Sequence, residues 1–419
     1  MSSTPDHRPV VAIVDAYSSA SHLAPLFRAQ GYDCLHVQSR QETPAVFAAT
    51  FVPGDFIGTV VHQGDTARTL AAIEPYAPTA LLAGAEIGVE LADVLSEALG
   101  LRTNGTALSG ARRDKFRMVE TVRAAGVPAA DQILATDLDA LLTWYGDTDR
   151  RVVLKPVRSA LNDGVSFCDT ADEVRAAFES LMGRESALGL SDEAVVAQEY
   201  LVGAEYYVNT VSMDGKHHVC DVWKTQHLGV NGVRDLLGGS QLMVRQGPEQ
   251  DLLAEYAFAV LDALGIRNGA AHTEVKLTPE GPRLVETGAR VCGAMLPLLT
   301  RAAIGESQLE WTVSAFVNPG EFLARWETGY EVARHAVCVN MVSPAGGKLV
   351  EFPKLAELQA LESYHDVLLK VTPGGEISRT TNDMTYPMLV HLLHEVEGIV
   401  THDYMTARYL DGEGFYDIA

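Results

Sequence analysis

Between residues 10 and 100, short apolar runs alternate with stretches of helical spacing, and this alternation limits the possible folds more than any other feature of the chain. Val10–Ala16 is the first run. Ser21–Gln30 then places Leu23, Leu26 and Phe27 on one helical face and stops at Gly31. Tyr32–Gln38 and Phe56–His62 read as strands, and Ala80–Ala83 leads through Gly84 into a helix over Glu86–Leu99 that Gly100 closes. Strand and helix in turn at this spacing predict a parallel sheet with helices on both faces. No G-x-G-x-x-G follows a strand here, so a dinucleotide site is not indicated.

Beyond this α/β region the pattern changes. A basic helix is expected from Leu108 to Ala125, closed by Gly126 and Pro128. Arg151–Leu154 is a strand ending at Lys155, Ala171–Met182 is helical, and Glu193–Tyr200 and Glu205–Met213 are strands. Residues 223–246 are glycine-rich and weakly periodic and are expected to form a mobile loop. Asp251–Leu264 is helical, residues 271–277 and 283–290 read as two strands, and from about Val332 the chain reads as a mixed α+β extension.

Composition removes several classes of function. Lys and Arg number 32 against 55 Asp and Glu, a net charge of −23, which repels a phosphate backbone and excludes nucleic acid as the principal partner. The five cysteines are scattered without a C-x-x-C, so reduced thiols in a cytoplasm are expected. The N-terminal apolar stretch is too short for a secretory segment, and no run is long enough to span a membrane.

The stretch AHTEVKLTPEGPRLVETGAR carries the most chemistry. A hairpin centred on Glu280 sets Glu274 opposite Glu286 and His272 opposite Gly288, with His272, Glu274 and Lys276 on one face and Glu286 and Arg290 on the matching face. Facing carboxylates repel. A hard divalent cation between them reverses that cost, and oxygen ligands suit Mg2+. The competing reading is a solvated hairpin face of cross-strand ion pairs. Lys155 at its strand end is either a phosphate ligand or a solvent-facing charge, and Asn162, Asp163 and Gly164 form either a phosphate-binding nest or a plain turn. Glu86, at a helix start, either holds a substrate ammonium group or complements the helix dipole.

The order of these pieces resembles the ATP-grasp superfamily, in which two α+β subdomains clamp ATP. The matching residues are Lys115 in its helix, Lys155, the Ser159–Val165 loop, the Gln198–Glu205 hinge, Glu274, and Glu286 with Arg290. AHTEVK, VETGARVCG and the C-terminal extension make the chain most similar to the L-amino acid ligases, the dipeptide synthases of bacilysin and dapdiamide type. The resemblance implies an N-terminal α/β domain over 1–108, a lid subdomain over 109–200, a metal-bearing subdomain over 201–330 and a C-terminal α+β extension over 331–419. It implies that Lys115 and Lys155 neutralise phosphates, that Ser159, Asn162 and Gly164 belong to the lid, that Gln198, Glu199, Tyr200 and Leu201 hold adenine, and that Glu205 holds the ribose. Glu274 and Glu286 would bind one or two Mg2+, with Mn2+ as a substitute. Arg290 would bind a carboxylate or the transferring phosphoryl group, His272 would lie at the reacting centre as a catalytic or a structural group, and Gly293, Ala294 and Met295 would shape the substrate pocket. The partners implied are a small-molecule carboxylate and an amine, and a homodimer. Two departures stand out: Gly288 replaces the usual metal-binding Asn, and Leu161 and Asn162 replace the usual Gly and Ser of the lid.

The expected activity is therefore an ATP-dependent carboxylate–amine ligase working through an acyl phosphate. The alternatives are a purine-type or carboxylase-type ligase on the same fold, or a silent ATP-binding protein. His217, His218 and His227 lack metal spacing, and His391-Leu-Leu-His394 is expected on a surface helix. P-loop and G-x-S-x-G motifs are absent.

Overall fold

The computed structural model describes residues 8–148, 150–159, 162–184, 193–412 and 414–419. Residues 1–7 and, within the expected lid, Ala160 and Leu161 lie outside the described residues. Strands β1 (Val10–Val14), β2 (Asp33–Gln38), β3 (Gly58–Val61) and β4 (Pro78–Ala83) form a parallel sheet in the order β3-β2-β1-β4. Every residue of β1 is buried, as a central parallel strand covered on both faces requires.

A second, antiparallel sheet contains β5 (Gln132–Ala135), β6 (Val152–Pro156), β7 (Ser166–Cys168) and β8 (Val195–Glu199) in the order β5-β8-β6-β7. Leu141 of the helix Leu138–Thr148 and Val174 and Phe178 of the helix Ala171–Leu181 pack on its Val152, Leu154 and Val195. The second helix starts at a capping box, in which the Thr170 hydroxyl accepts from the Glu173 N–H and the Glu173 carboxylate accepts from the Thr170 N–H.

The remaining strands are β9 (Ala204–Met213), β10 (Lys216–Val230), β11 (Val233–Leu242), β12 (Gly269–Thr278), β13 (Gly281–Gly288), β14 (His335–Asn340), β15 (Gly347–Glu351), β16 (Tyr364–Leu369), β17 (Glu376–Ile377), β18 (Met388–His394) and β19 (Asp417–Ile418). Eight of them join in one sheet, β13-β12-β9-β10-β11-β14-β18-β16, and β17-β15-β19 form a small one. The chain after residue 331 thus enters the large sheet through β14, which pairs with β11.

Three expectations are corrected. Residues 223–246 are not a mobile loop: they lie largely in the β10–β11 hairpin, turned at Asn231-Gly232, both with positive φ. Asn-Gly between Val230 and Val233 is a strong hairpin signal. Register shifts after Gln226 and Leu228 broke the alternation that would have exposed it. His391 sits not on a surface helix but in β18, a nearly wholly buried strand, so its apolar neighbours reflect burial on both faces and not helical spacing. The basic helix begins at Lys115, after a separate turn at Gly110–Arg112, because Asp114 accepts a hydrogen bond from the Arg117 N–H (2.9 Å) and caps it there.

Candidate active site

The second sheet, the large sheet and the helix Lys115–Ala124 meet around a cleft of about 1140 Å³, its open mouth included. Lys115 is the first helical residue, and its N–H donates to the Val157 carbonyl (3.0 Å), which ties the helix to the end of β6. Lys155 lies near the end of β6. Both ammonium groups line the cleft and are buried. Burial, then the neighbouring Lys115, push Lys155 down to about 8.

The hairpin β12–β13 brings the acids together as the sequence predicts: Glu274 faces Glu286 and His272 faces Gly288. The turn is tighter than a centre on Glu280 implies, since Thr278 pairs with Gly281, and a bulge after Glu274 restores the predicted register. Both carboxylates reach into the cleft, each side chain 28% exposed. Lys115 is ion-paired with Glu286, and His272 Nε2 lies 3.2 Å from Glu274 Oε1. Burial opposes ionisation of Glu274, but His272 beside it, then Lys115 and Arg290, hold its carboxyl below the usual range. Burial also opposes protonation of His272; Cys292 and Glu274 outweigh it and raise the imidazole to about 10. Two opposed oxygen donors surrounded by cations suit a hard divalent ion. Among the described residues no third His, Cys, Asp or Glu completes a metal cluster.

Gly288 has a physical reason. A Cβ there would stand 2.7 Å from Glu86 Oε2 and 3.2 Å from Arg290 Cζ. The space that a metal-binding Asn would use holds an ion pair: Arg290 Nε donates to Glu86 Oε2 (3.0 Å), and Arg113 is paired with Glu86 Oε1. Glu86 is 5% exposed; burial alone would raise its pKa, but Arg113, then Arg290 and Lys115, lower it. Its two oxygens are therefore engaged by the guanidinium groups of Arg113 and Arg290. Glu86 thereby holds Arg290 in place.

Ser159 and Asn162 line the cleft, and Asn162 Nδ2 donates to Asp383 Oδ2 (3.2 Å), a cleft-lining residue of the C-terminal region. Gly164, at φ 78°, faces Pro156, Leu181 and Arg184 instead of the cleft. Gly293 and Ala294 are likewise outside the cleft lining, in a bend where Ala294 and Met295 both take φ of 56°. Gln198, Glu199, Tyr200 and Leu201 line the opposite wall. The Glu199 and Tyr200 N–H groups donate to the Asp131 and Arg151 carbonyls, so neither is available to a base edge, and Gln198 Nε2 donates to Gln132 Oε1 (2.7 Å).

Glu205 belongs to a network that sequence reasoning missed. Lys276 Nζ lies 3.5 Å from Glu205 Oε2 and 3.3 Å from Asp235 Oδ2, and His227 Nδ1 lies 3.0 Å from Asp235 Oδ1. Lys276 also stands over the Tyr200 ring at 5.0 Å. Burial, then Glu274, raise Glu205, although His227 and Lys276 oppose them. Burial opposes ionisation of Asp235, but His227 and then Lys276 lower it. The signal available in the sequence was the Asn231-Gly232 hairpin, which carries His227 and Asp235 into the cleft on paired strands.

Residues 148–297 match the family model described as an ATP-grasp domain. Dapdiamide A synthase of Enterobacter agglomerans is 35% identical over 426 residues, covering 98% of each chain. The chain belongs to the L-amino acid ligase group of the ATP-grasp superfamily. Alanine–anticapsin ligase of Bacillus subtilis is 26% identical to the ligase over 216 residues, 47% of this chain and 45% of that one. The crystal structure of an L-amino acid ligase from Bacillus licheniformis matches the ligase with a TM-score of 0.74 at 16% identity, covering 99% of this chain and 100% of the other. An ADP complex of N5-carboxyaminoimidazole ribonucleotide synthetase matches at 0.68 and 16%, covering 96% of each. At those identities the two solved structures speak for the fold. The ligase is an ATP-dependent carboxylate–amine ligase that forms amide bonds between amino acids, and among its described residues no helix is long and apolar enough to cross a membrane.

Proposed function

We propose that the ligase activates the carboxylate of one amino acid, or of an amino-acid-like acid, as an acyl phosphate and transfers the acyl group to the amine of a second. The observation that carries this reading is the cleft in which Glu274 faces Glu286 while Lys115, Lys155 and Arg290 line the same space. Oxide is too poor a leaving group for an amine to displace. A carboxylate oxygen attacks the γ-phosphorus of ATP, the bond to ADP breaks, and the acyl phosphate forms. The amine nitrogen then attacks the acyl carbon, the bond to phosphate breaks, and the nitrogen sheds a proton as the amide forms.

The protein's part is positioning and charge neutralisation. Lys115 and Lys155 face the triphosphate, with Ser159 and Asn162 in the loop above it. Gln198, Tyr200 and Leu201 form the adenine wall, and Glu205 with Lys276 is set for the ribose. Arg290, held by Glu86, meets the substrate carboxylate as it gains phosphate. His272 faces the reacting groups. Glu274 and Glu286 would hold Mg2+, one ion or two, with Mn2+ able to replace it; the ion adds positive charge against the phosphate oxygens. The buried, free cysteines suit the reducing cytoplasm in which we place the enzyme.

A panel of amino-acid pairs with ATP and Mg2+, read by mass spectrometry for dipeptides and by ADP release, tests the reading. At least one pair should yield a product one water lighter than the sum of its parts, together with stoichiometric ADP. ADP release with bicarbonate or a purine ribotide, but with no amino-acid pair, would overturn it.

A further inference from the structure

A row of buried polar side chains crosses the large sheet and ends in the cleft. Asp221 on β10 is directly opposite Asn209 on β9, which is opposite His272 on β12, which is opposite Gly288 on β13. Asn209 Nδ2 donates to Asp221 Oδ1 at 2.5 Å, and Asn209 Oδ1 lies 2.7 Å from His272 Nδ1. The Thr300 hydroxyl donates to the other Asp221 oxygen at 3.2 Å. Asp221 and Asn209 are each 1% exposed. A carboxylate so deep is costly, and burial raises Asp221 to about 6 despite its hydrogen bonds to Asn209 and Thr300. Nothing in the reaction described above uses it.

The donor and acceptor arithmetic gives it a use. An ionised carboxylate only accepts, so the Asn209 amide must present its NH2 to Asp221 and its carbonyl to His272. A carbonyl also only accepts, so His272 Nδ1 must carry a hydrogen. The ring is further held by Tyr207, edge to face at 4.9 Å. Nε2 is then the nitrogen offered to Glu274 and the cleft.

We infer that Asp221 and Asn209 are positioning residues for amide formation: Asp221 fixes the Asn209 amide, and the Asn209 carbonyl, accepting from Nδ1–H, fixes the orientation of the His272 ring so that Nε2 faces the reacting groups. A second-layer acid that holds a histidine ring in place through its Nδ1–H has a general precedent in catalysis. The inference rests on the ligase reading only for what His272 does, not for how it is held.

The row offers a swap test. Asp221→Asn lets the Asn209 amide turn over and present NH2 to Nδ1. The double variant Asn209→Asp/Asp221→Asn exchanges the two groups: the new carboxylate at 209 accepts from His272, and the new amide at 221 donates to it. Ring nitrogen shifts of His272, assigned by loss of the signal in His272→Gln, report the hydrogen on Nδ1 in nucleotide-free protein. Dipeptide formation and ADP release report function. Asp221→Asn should lose the Nδ1–H signature and reduce kcat by at least about tenfold, with KM for ATP within about twofold of wild type. The double variant should recover the signature and most of kcat. An Nδ1–H signature and kcat unchanged in Asp221→Asn overturn the proposal, as does a folded double variant no better than Asp221→Asn. Failure of every amino-acid pair with wild-type enzyme would refute the substrate reading and leave the Nδ1–H measurement standing.

Discussion

Gly288→Ala tests how the acid pocket is built. The φ of Gly288 lies outside the left-handed region, so the backbone accepts alanine and the effect is one of space. The new methyl group would stand 2.7 Å from Glu86 Oε2. An ordinary contact needs about 0.7 Å more. Glu86 cannot swing away freely, because it is buried and its other oxygen is paired with Arg113. The 3.0 Å bond from Arg290 Nε to Glu86 must stretch by a similar amount, past the roughly 3.5 Å at which a hydrogen bond ends. Losing one charge-assisted hydrogen bond costs about 1.5–3 kcal/mol. Arg113 keeps Glu86 compensated, so the larger penalty of a stranded buried charge does not apply. If Arg290 acts on the reacting carboxylate, that energy appears in the rate, as a loss of about 10- to 150-fold in kcat/KM for the acid substrate. Steady-state ADP release with varied acid, amine and ATP is the assay, with thermal unfolding to show that the variant is folded. In a Glu86→Ala background the obstructing oxygen is gone, and Gly288→Ala should add little. A rate within about threefold of wild type, or a full additional loss in the Glu86→Ala background, would refute the reasoning.

Other outcomes follow from the same geometry. Glu286→Gln should abolish ADP release while leaving the far-ultraviolet circular dichroism unchanged; near-normal turnover by the folded variant would falsify the metal assignment. Lys155 titrates in the folded chain at about 8 against 10.5 for a free lysine. Between those values the unfolded chain binds more protons, so this group's contribution to stability rises with pH across that window. ATP affinity should move the other way and weaken as pH passes about 8, measured by calorimetry at pH 7 and 9; equal weakening in Lys155→Met would show that another group is responsible. Arg112 is 1% exposed and donates to Asp93 and to the carbonyls of Asn104, Gly105, Leu264 and Gly265. Arg112→Ala strands buried Asp93 and should cost about 3–5 kcal/mol of stability in denaturant unfolding; a cost under about 1 kcal/mol would contradict the reading of this clamp.

The parallel N-terminal sheet and the Glu274–Glu286 juxtaposition were legible because each rests on local periodicity: an apolar run buried on both faces in one case, alternation about a tight turn in the other. His227 and Asp235 were not legible. Their strands carry bulges, so the period-2 pattern breaks where these residues occur, and only the Asn231-Gly232 turn announces the hairpin. Glu86 was found in sequence at the right end of its sheet, but its partners Arg113 and Arg290 come from distant segments, and sequence spacing says nothing about them. Gly288 was visible as a departure from the family pattern; its cause needed the position of Glu86. The Asp221–Asn209 row was hidden for the same reason: it exists only once three strands are set in register.

The strand order from β13 to β16 has a mechanical consequence. The facing acids, the His227–Asp235 pair and the strands of residues 335–394 are stitched into one slab, so they form an anvil that cannot hinge between nucleotide and acid pocket. The sheet of β5 to β8 is separate from this slab and shares no strand pairing with it. Through Asn162 and Asp383 that sheet's own segment touches the C-terminal region that the slab carries. A displacement of the C-terminal strands is therefore transmitted along the hydrogen-bonded ladder to the strands that carry Glu274 and Glu286.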